Sequence, residues 1–171
     1  TSKTETWEYP IMNNKRILIA NRGEIATRIA RACRELGHTS VGIWTEFEVN
    51  AKHLEFCDEW VFLQGKNNRE TYLDIQKILK LAEDHRIDAI HPGYGFLSEN
   101  GAFALACEQA GIVFIGPNPK AIKAMGDKAT SKEVAKKAGI PVVPGSTQAV
   151  PTVEEAIKIA KLHMNVLVLN K

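Results

Sequence analysis

From Arg16 onward the chain alternates short, unbroken apolar runs with longer stretches whose apolar residues recur every three or four positions. Runs that are apolar throughout suit strands buried on both faces, and the amphipathic stretches between them supply the helices that cover those faces. The pattern predicts β-α-β units in an α/β fold: a parallel sheet with helices on both faces. Strands are expected at RILIA (16–20), SVGIW (40–44), EWVFL (59–63), DAIH (88–91) and IVFIG (112–116). Between the first two, Ile25, Ile29, Ala32 and Leu36 mark the buried stripe of a helix, with Gly37 as its C-terminal cap. A second helix is expected to open near Thr71, where Thr71 and Asp74 have capping-box spacing and Tyr72, Ile75, Leu79 and Ala82 form the stripe.

Further along, a third helix is expected over 101–110, and Asn118 followed by Pro119 reads as an N-cap with proline at the first helical position. Asp127 to Ala138 is helical in pattern, with Lys136 and Lys137 in the last turn and Gly139 behind them. Pro141 and Pro144 interrupt the periodicity, so 141–151 reads as a linker at a domain boundary. Thr152 and Glu155 then cap a helix that ends near His163, before a last apolar run, NVLVLN.

At 171 residues, 44% of them hydrophobic, the chain can bury a core without a disulfide or metal staple. Cys33, Cys57 and Cys107 are odd in number, far apart and without CxxC spacing, which suits a reducing compartment and a role as small buried hydrophobes. A net charge of +2 gives no basis for a nucleic-acid or acidic-membrane partner. No apolar run approaches the about 18 residues of a membrane span. Residues 1–14, TSKTETWEYPIMNN, are expected to be a flexible polar tail; they lack the apolar core of a secretory signal, and Glu5 and Glu8 set them apart from acid-poor transit peptides.

Phosphate loops of α/β proteins lie at the first β-α turn, here IANRGEIATRIARA. Only Gly23 is present, so both the GxGxxG fingerprint and the GxxxxGK[ST] loop are missing, which counts against a nicotinamide-dependent dehydrogenase and a P-loop enzyme. Gly23 is either a tight turn that lets helix and strand pack closely or a place of close backbone approach. Arg28, Arg31 and Glu35, on the polar side of the same helix, face either a partner or water. HPGYGFLSEN, residues 91–100, follows a strand and precedes a helix, with Gly93 and Gly95 flanking Tyr94. Such a loop at the C-terminal edge of a parallel sheet is where ligands bind, and its alternative is a purely structural loop. His91 reads as a hydrogen-bonded structural histidine, and His38, His53, His85 and His163 have no metal-ligand spacing. Lys128 stands in the first turn of a helix, at the unfavourable end of the dipole for a cation. An anionic ligand would hold it there; otherwise it is an exposed lysine tolerated at small cost.

Taken together, RILIANRGEIATRIARACRELG, HPGYGFLSEN, FIGP, MGDK and KKAGIPVVPGS closely resemble the N-terminal part of biotin carboxylases, the domain that opens acetyl-CoA, propionyl-CoA and pyruvate carboxylases. The resemblance covers residues 15–162 in unbroken order. It implies a Rossmann-like pre-ATP-grasp domain over 15–140 with its connecting helices, followed by the truncated start of an ATP-grasp domain over 141–171. It implies ATP, Mg2+, bicarbonate and carrier-linked biotin as cofactors and substrates, and a biotin carboxyl carrier domain, a carboxyltransferase and a second subunit as partners. Lys128 matches a lysine that touches ATP phosphates, Tyr94 and Gly95 match the loop beside biotin, and Arg28, Arg31 and Glu35 match a subunit contact. Lys171 falls at the spacing of a second ATP lysine, although NVLVLN departs from the family's strand there. No residue of this stretch matches a catalytic group, so the resemblance implies a piece that is inactive alone, in the cytoplasm or, for a eukaryotic source, the mitochondrial matrix. Two other readings stay open at this point: a different ATP-grasp ligase, and a non-catalytic dimerisation or binding module.

Overall fold

The computed structural model describes residues 14–48, 50–126, 128–142 and 150–163. The expected tail up to Asn13, the linker residue Pro144, the run NVLVLN and Lys171 lie outside the described residues. The chain divides into two compact units, residues 1–119 and 120–171.

The first unit holds five strands: β1 (Arg16–Ile19), β2 (Thr39–Trp44), β3 (Glu59–Phe62), β4 (Ala89–His91) and β5 (Val113–Phe114). They form one sheet in the order β3-β2-β1-β4-β5, and every neighbouring pair is parallel. Helix α1 (Gly23–Glu35) joins β1 to β2, a short 3₁₀ helix (Lys52–Phe56) lies between β2 and β3, α2 (Ile75–Asp84) leads to β4, and α3 (Gly101–Gln109) leads to β5. The chain steps outward from β1 to β3 and then returns past β1 to β4 and β5. Because parallel crossovers are right-handed, reversing direction moves the connections to the opposite face.

The strand side chains record that division. In β1, Ile17 and Ile19 enter a core with Ala26, Ile29, Ala30 and Cys33 of α1, while Leu18 joins Ile78 and Leu79 of α2 and Phe103 of α3 in the other. The expected parallel sheet with helices on both faces is what the chain forms. Gly42 of β2 is required by contact: a Cβ there would lie 2.8 Å from Cys57 Sγ and 3.1 Å from Leu54, where the 3₁₀ helix rests on the strand.

Two expectations are corrected. The buried face of α1 is Ala26, Ile29, Ala30 and Cys33, and Ala32 and Leu36 of the expected stripe are exposed. Small residues let the helix approach the sheet closely, a packing that a search for large apolar side chains does not register. Helix α2 begins at Ile75, not near Thr71. Asp74 is itself the N-cap, accepting from Lys77 N at 3.0 Å, while Thr71 Oγ1 donates to Asn67 O at 2.8 Å and belongs to the preceding turn.

The second unit carries α5 (Lys128–Lys137) and α6 (Val153–His163). The expected cap of α6 is present, with Glu155 N donating to Thr152 Oγ1 at 3.3 Å. Helix α4 (Pro119–Gly126) starts at the expected proline, on the division between the units. The three thiols are free; Cys33 and Cys107 are buried and Cys57 is half-buried. Burial pushes Cys57 and Cys107 up to about 11, so they are inert thiols at neutral pH.

Candidate functional site

In a doubly wound sheet the strand order reverses at one place, and the loops there diverge to leave a crevice at the strands' C-terminal ends. Here that place lies between β1 and β4, paired in parallel through Ile17–Ala89, Leu18–Ile90 and Ile19–His91. The segments that leave it are the turn Ala20–Arg22 before α1 and the loop 92–100 before α3.

Buried polar groups hold this edge. Asn21, 3% exposed, donates from Nδ2 to the carbonyls of Pro92 and Tyr94, each at 2.8 Å, and its Oδ1 accepts from Arg22 N at 2.9 Å. His91 Nδ1 accepts from Gly93 N at 3.0 Å, and burial lowers the imidazole's pKa, which keeps the ring neutral for that acceptor role. Gly93 has φ +65°, and a Cβ on it would lie 2.6 Å from Ile25 Cγ2 and 2.8 Å from Asn21 Nδ2. Its close neighbour is therefore this chain's own turn. Gly95 has φ +73° with open space around it. Tyr94 is 79% exposed. Asn100 is a helix cap, accepting from Phe103 N at 3.0 Å.

A second set of contacts ties the same loop to β2. Glu48 accepts from Arg22 Nη1 at 2.9 Å, Thr45 Oγ1 at 3.0 Å and the Tyr72 hydroxyl at 2.7 Å. Burial first, and then Glu48, push the Tyr72 phenol far up, so it stays a donor. Phe96, at φ +43°, stacks on Tyr72 with ring centroids 4.9 Å apart, and the Arg22 guanidinium lies 5.6 Å from the Phe96 centroid.

The sequence-predicted residues fall into separate places. Tyr94 and Gly95 stand at the C-terminal edge of the sheet. Arg28, Arg31 and Glu35 are exposed along α1; Arg28 pairs with Glu24 at 2.8 Å, and the Arg31 guanidinium lies 5.0 Å from the Phe56 ring centroid. Helix α5 in the other unit is described from Lys128, the residue before it and the Lys128 side chain lying outside the described part. Gly23 has φ +61° with nothing near it, so its requirement is the left-handed turn and not close packing. Sequence reasoning missed Asn21, Arg22, Glu48, Tyr72 and Phe96 as parts of the site. The available signal was a polar residue, Asn21, directly after a fully buried strand, because such a group must find partners. Among the described residues no three His, Cys, Asp or Glu cluster to hold a metal, and no helix is long and apolar enough to cross a membrane.

Residues 13–122 match the family described as biotin carboxylase, N-terminal domain. The 2-oxoglutarate carboxylase small subunit of Hydrogenobacter thermophilus is 54% identical over 147 residues, which cover 86% of this chain and 31% of that protein. Biotin carboxylase 1 of Bacillus subtilis is 47% identical over 146 residues, 85% of this chain and 32% of that one. Among solved structures, the biotin carboxylase domain dimer of the Hydrogenobacter thermophilus 2-oxoglutarate carboxylase, in complex with MgADP, ADP and bicarbonate, is similar with a TM-score of 0.79 and 53% identity, over 86% of this chain and 32% of its own. The chain spans about a third of the length of these relatives.

Proposed function

The chain belongs to the biotin carboxylase family, whose N-terminal domain it carries, and on that premise we propose that it is the amino-terminal part of an ATP-dependent biotin carboxylase. In the whole enzyme bicarbonate attacks the γ-phosphate of ATP and ADP leaves; the carboxyphosphate formed breaks into phosphate and carbon dioxide, and N1 of carrier-linked biotin takes up the carbon dioxide with loss of its proton. The observation that supports this most is the loop at the switch point, where Tyr94 is exposed on a backbone tied from beneath by buried hydrogen bonds. Tyr94 and Gly95 pack beside biotin. Lys128, at a helix N-terminus, meets ATP phosphate together with backbone donors, and Lys171 is the second candidate.

The remaining two thirds of the relatives' length would supply what is missing here. Stabilising a transferring phosphoryl group takes several converging cations, and this chain offers two candidate lysines. Among its described residues no three His, Cys, Asp or Glu cluster to hold a metal, and the magnesium-binding groups are proposed to lie in the remainder. The same remainder connects to a biotin carboxyl carrier domain and a carboxyltransferase. Arg28, Arg31 and Glu35 on α1 form part of a subunit contact, a proposal supported by the dimer of the solved relative. Residues 15–140 make the first domain with its connecting helices, 141–171 begin the ATP-grasp part, and the enzyme works in the cytoplasm or mitochondrial matrix.

Bicarbonate-dependent ADP formation and biotin carboxylation, measured on this chain and on the full-length protein, test the proposal. The full-length protein shows both and this chain neither. In the full-length protein Lys128→Gln weakens ATP binding about tenfold, the loss of one charge-assisted contact, without loss of fold. Full-length protein lacking bicarbonate-dependent turnover rejects the function. Unchanged ATP affinity in Lys128→Gln removes that residue's role.

A further inference from the structure

Asn21 is a buried side chain that the proposed chemistry does not use. Both of its amide donors are used, on carbonyls two residues apart, those of Pro92 and Tyr94, and its oxygen accepts one bond, from Arg22 N. The head group cannot flip, because the flipped amide would set its oxygen against two carbonyl oxygens. Bonds to both carbonyls fix the peptide planes on either side of Gly93 and Tyr94, and Gly93 sits so close that any side chain there would strike Nδ2. On the far side of Tyr94, Phe96 stacks on Tyr72 and meets the Arg22 guanidinium, and Glu48 bonds both of those. The backbone is therefore held on both sides of Tyr94, whose side chain projects outward.

We propose that Asn21 is the positioning residue for the biotin-side loop. Its amide sets the Pro92–Tyr94 backbone in the geometry with which Tyr94 and Gly95 meet the biotin ring, and the Glu48–Arg22–Tyr72–Phe96 contacts buttress it. The inference rests on the proposed function for the identity of the ligand, but the clamp itself does not. Asn21 touches no substrate and acts only through the loop.

The decisive variant is Asn21→Asp in the full-length protein. It keeps the size and the acceptor for Arg22 N while replacing the donor with an oxygen facing two carbonyls. The KM for free biotin rises about tenfold or more, the change expected from losing one or two net hydrogen bonds. ATP affinity, and ADP formation without biotin, stay within about twofold of wild type. Hydrogen exchange quickens in peptides covering 92–98 and not in those covering β1. Asn21→Ser, too short to reach both carbonyls, gives the same split and serves if Asn21→Asp does not fold. Wild-type biotin KM in a folded variant, equal loss of ATP and biotin parameters, or unchanged exchange over 92–98 overturns the proposal. A wild-type protein with no biotin-dependent turnover rejects the function, while the exchange measurement still decides the clamp.

Discussion

On one face of the sheet α2 and α3 lie together over a core of sixteen buried residues among those described, and on the other α1 and the 3₁₀ helix cover seven. Helix α1 sits over β1 and β2. Beside it, over β4 and β5, an apolar groove remains, lined by Ile17, Ile29, Leu36, Val113 and Ile115. Val113 is 61% exposed and Leu36 69%, whereas Phe103 and Ile78 on the opposite face are fully buried. Burial drives stability at about 25 cal/mol per Å² of apolar surface removed from water. The α2/α3 face should therefore carry most of the folding free energy of residues 1–119, and the α1 face should depend more on polar ties.

Truncation gives the largest contrast. Phe103→Ala, in the middle of the larger core, should cost about 3–5 kcal/mol, and Ile29→Ala, at the margin of the smaller one, about 2 kcal/mol. Urea denaturation of the two variants measures the difference, and equal losses would break the comparison.

Acid sharpens it next. Asp58, where the chain enters β3, accepts from Ser40 Oγ at 2.6 Å and Ser40 N at 2.9 Å, and these bonds hold its carboxyl below the usual range. Arg16 does the same for Glu59, and the Arg16 backbone N–H for Asp88. A carboxyl with a depressed folded-state pKa contributes stability above its unfolded value, about 4, and loses it as pH falls through the lower folded value. Stability should begin to fall below about pH 6.5, where unfolding lets the half-buried His91 take up a proton, and fall further below about 4 as these carboxyls protonate. Ser40→Ala should remove about 1 kcal/mol at neutral pH and make the acid limb shallower. An unchanged slope would show that the Ser40–Asp58 pair contributes nothing.

The smallest effect belongs to the groove. Leu36→Lys and Val113→Lys should each change stability by no more than about 0.5 kcal/mol, as substitutions at exposed positions do. A loss above about 2 kcal/mol in thermal or urea unfolding would mean that the groove is closed by other protein in solution.

Much of this architecture was legible because it is written locally. Short apolar runs marked four strands to within a residue at either end and β5 to within two, where only Val113–Phe114 of the expected 112–116 pair as strand. The cap at Thr152 was placed by chemistry that acts over three residues. The start of α2 was not legible, because Thr71 and Asp74 both satisfy a cap's requirements. Only the pull of Tyr72 toward Glu48, 24 positions away, and of Thr71 toward Asn67 decides between them.

The candidate site divides in the same way. The sequence by itself determined that the residues after β4 form a loop at the C-terminal edge of a parallel sheet and that Tyr94 lies in it, because strand ends and glycines are properties of neighbouring residues. Only the tertiary structure decided that Asn21 holds Pro92 and Tyr94 from 71 and 73 positions away, that Arg22 and Tyr72 meet at the Glu48 carboxylate, and that Phe96 packs on both. Nor does the pattern say that α1 rests on its small residues. The physical reason is common to all three: a buried polar group must be satisfied and a helix must settle on its sheet, but which distant residue supplies the partner depends on the strand order β3-β2-β1-β4-β5, and no local periodicity encodes that order.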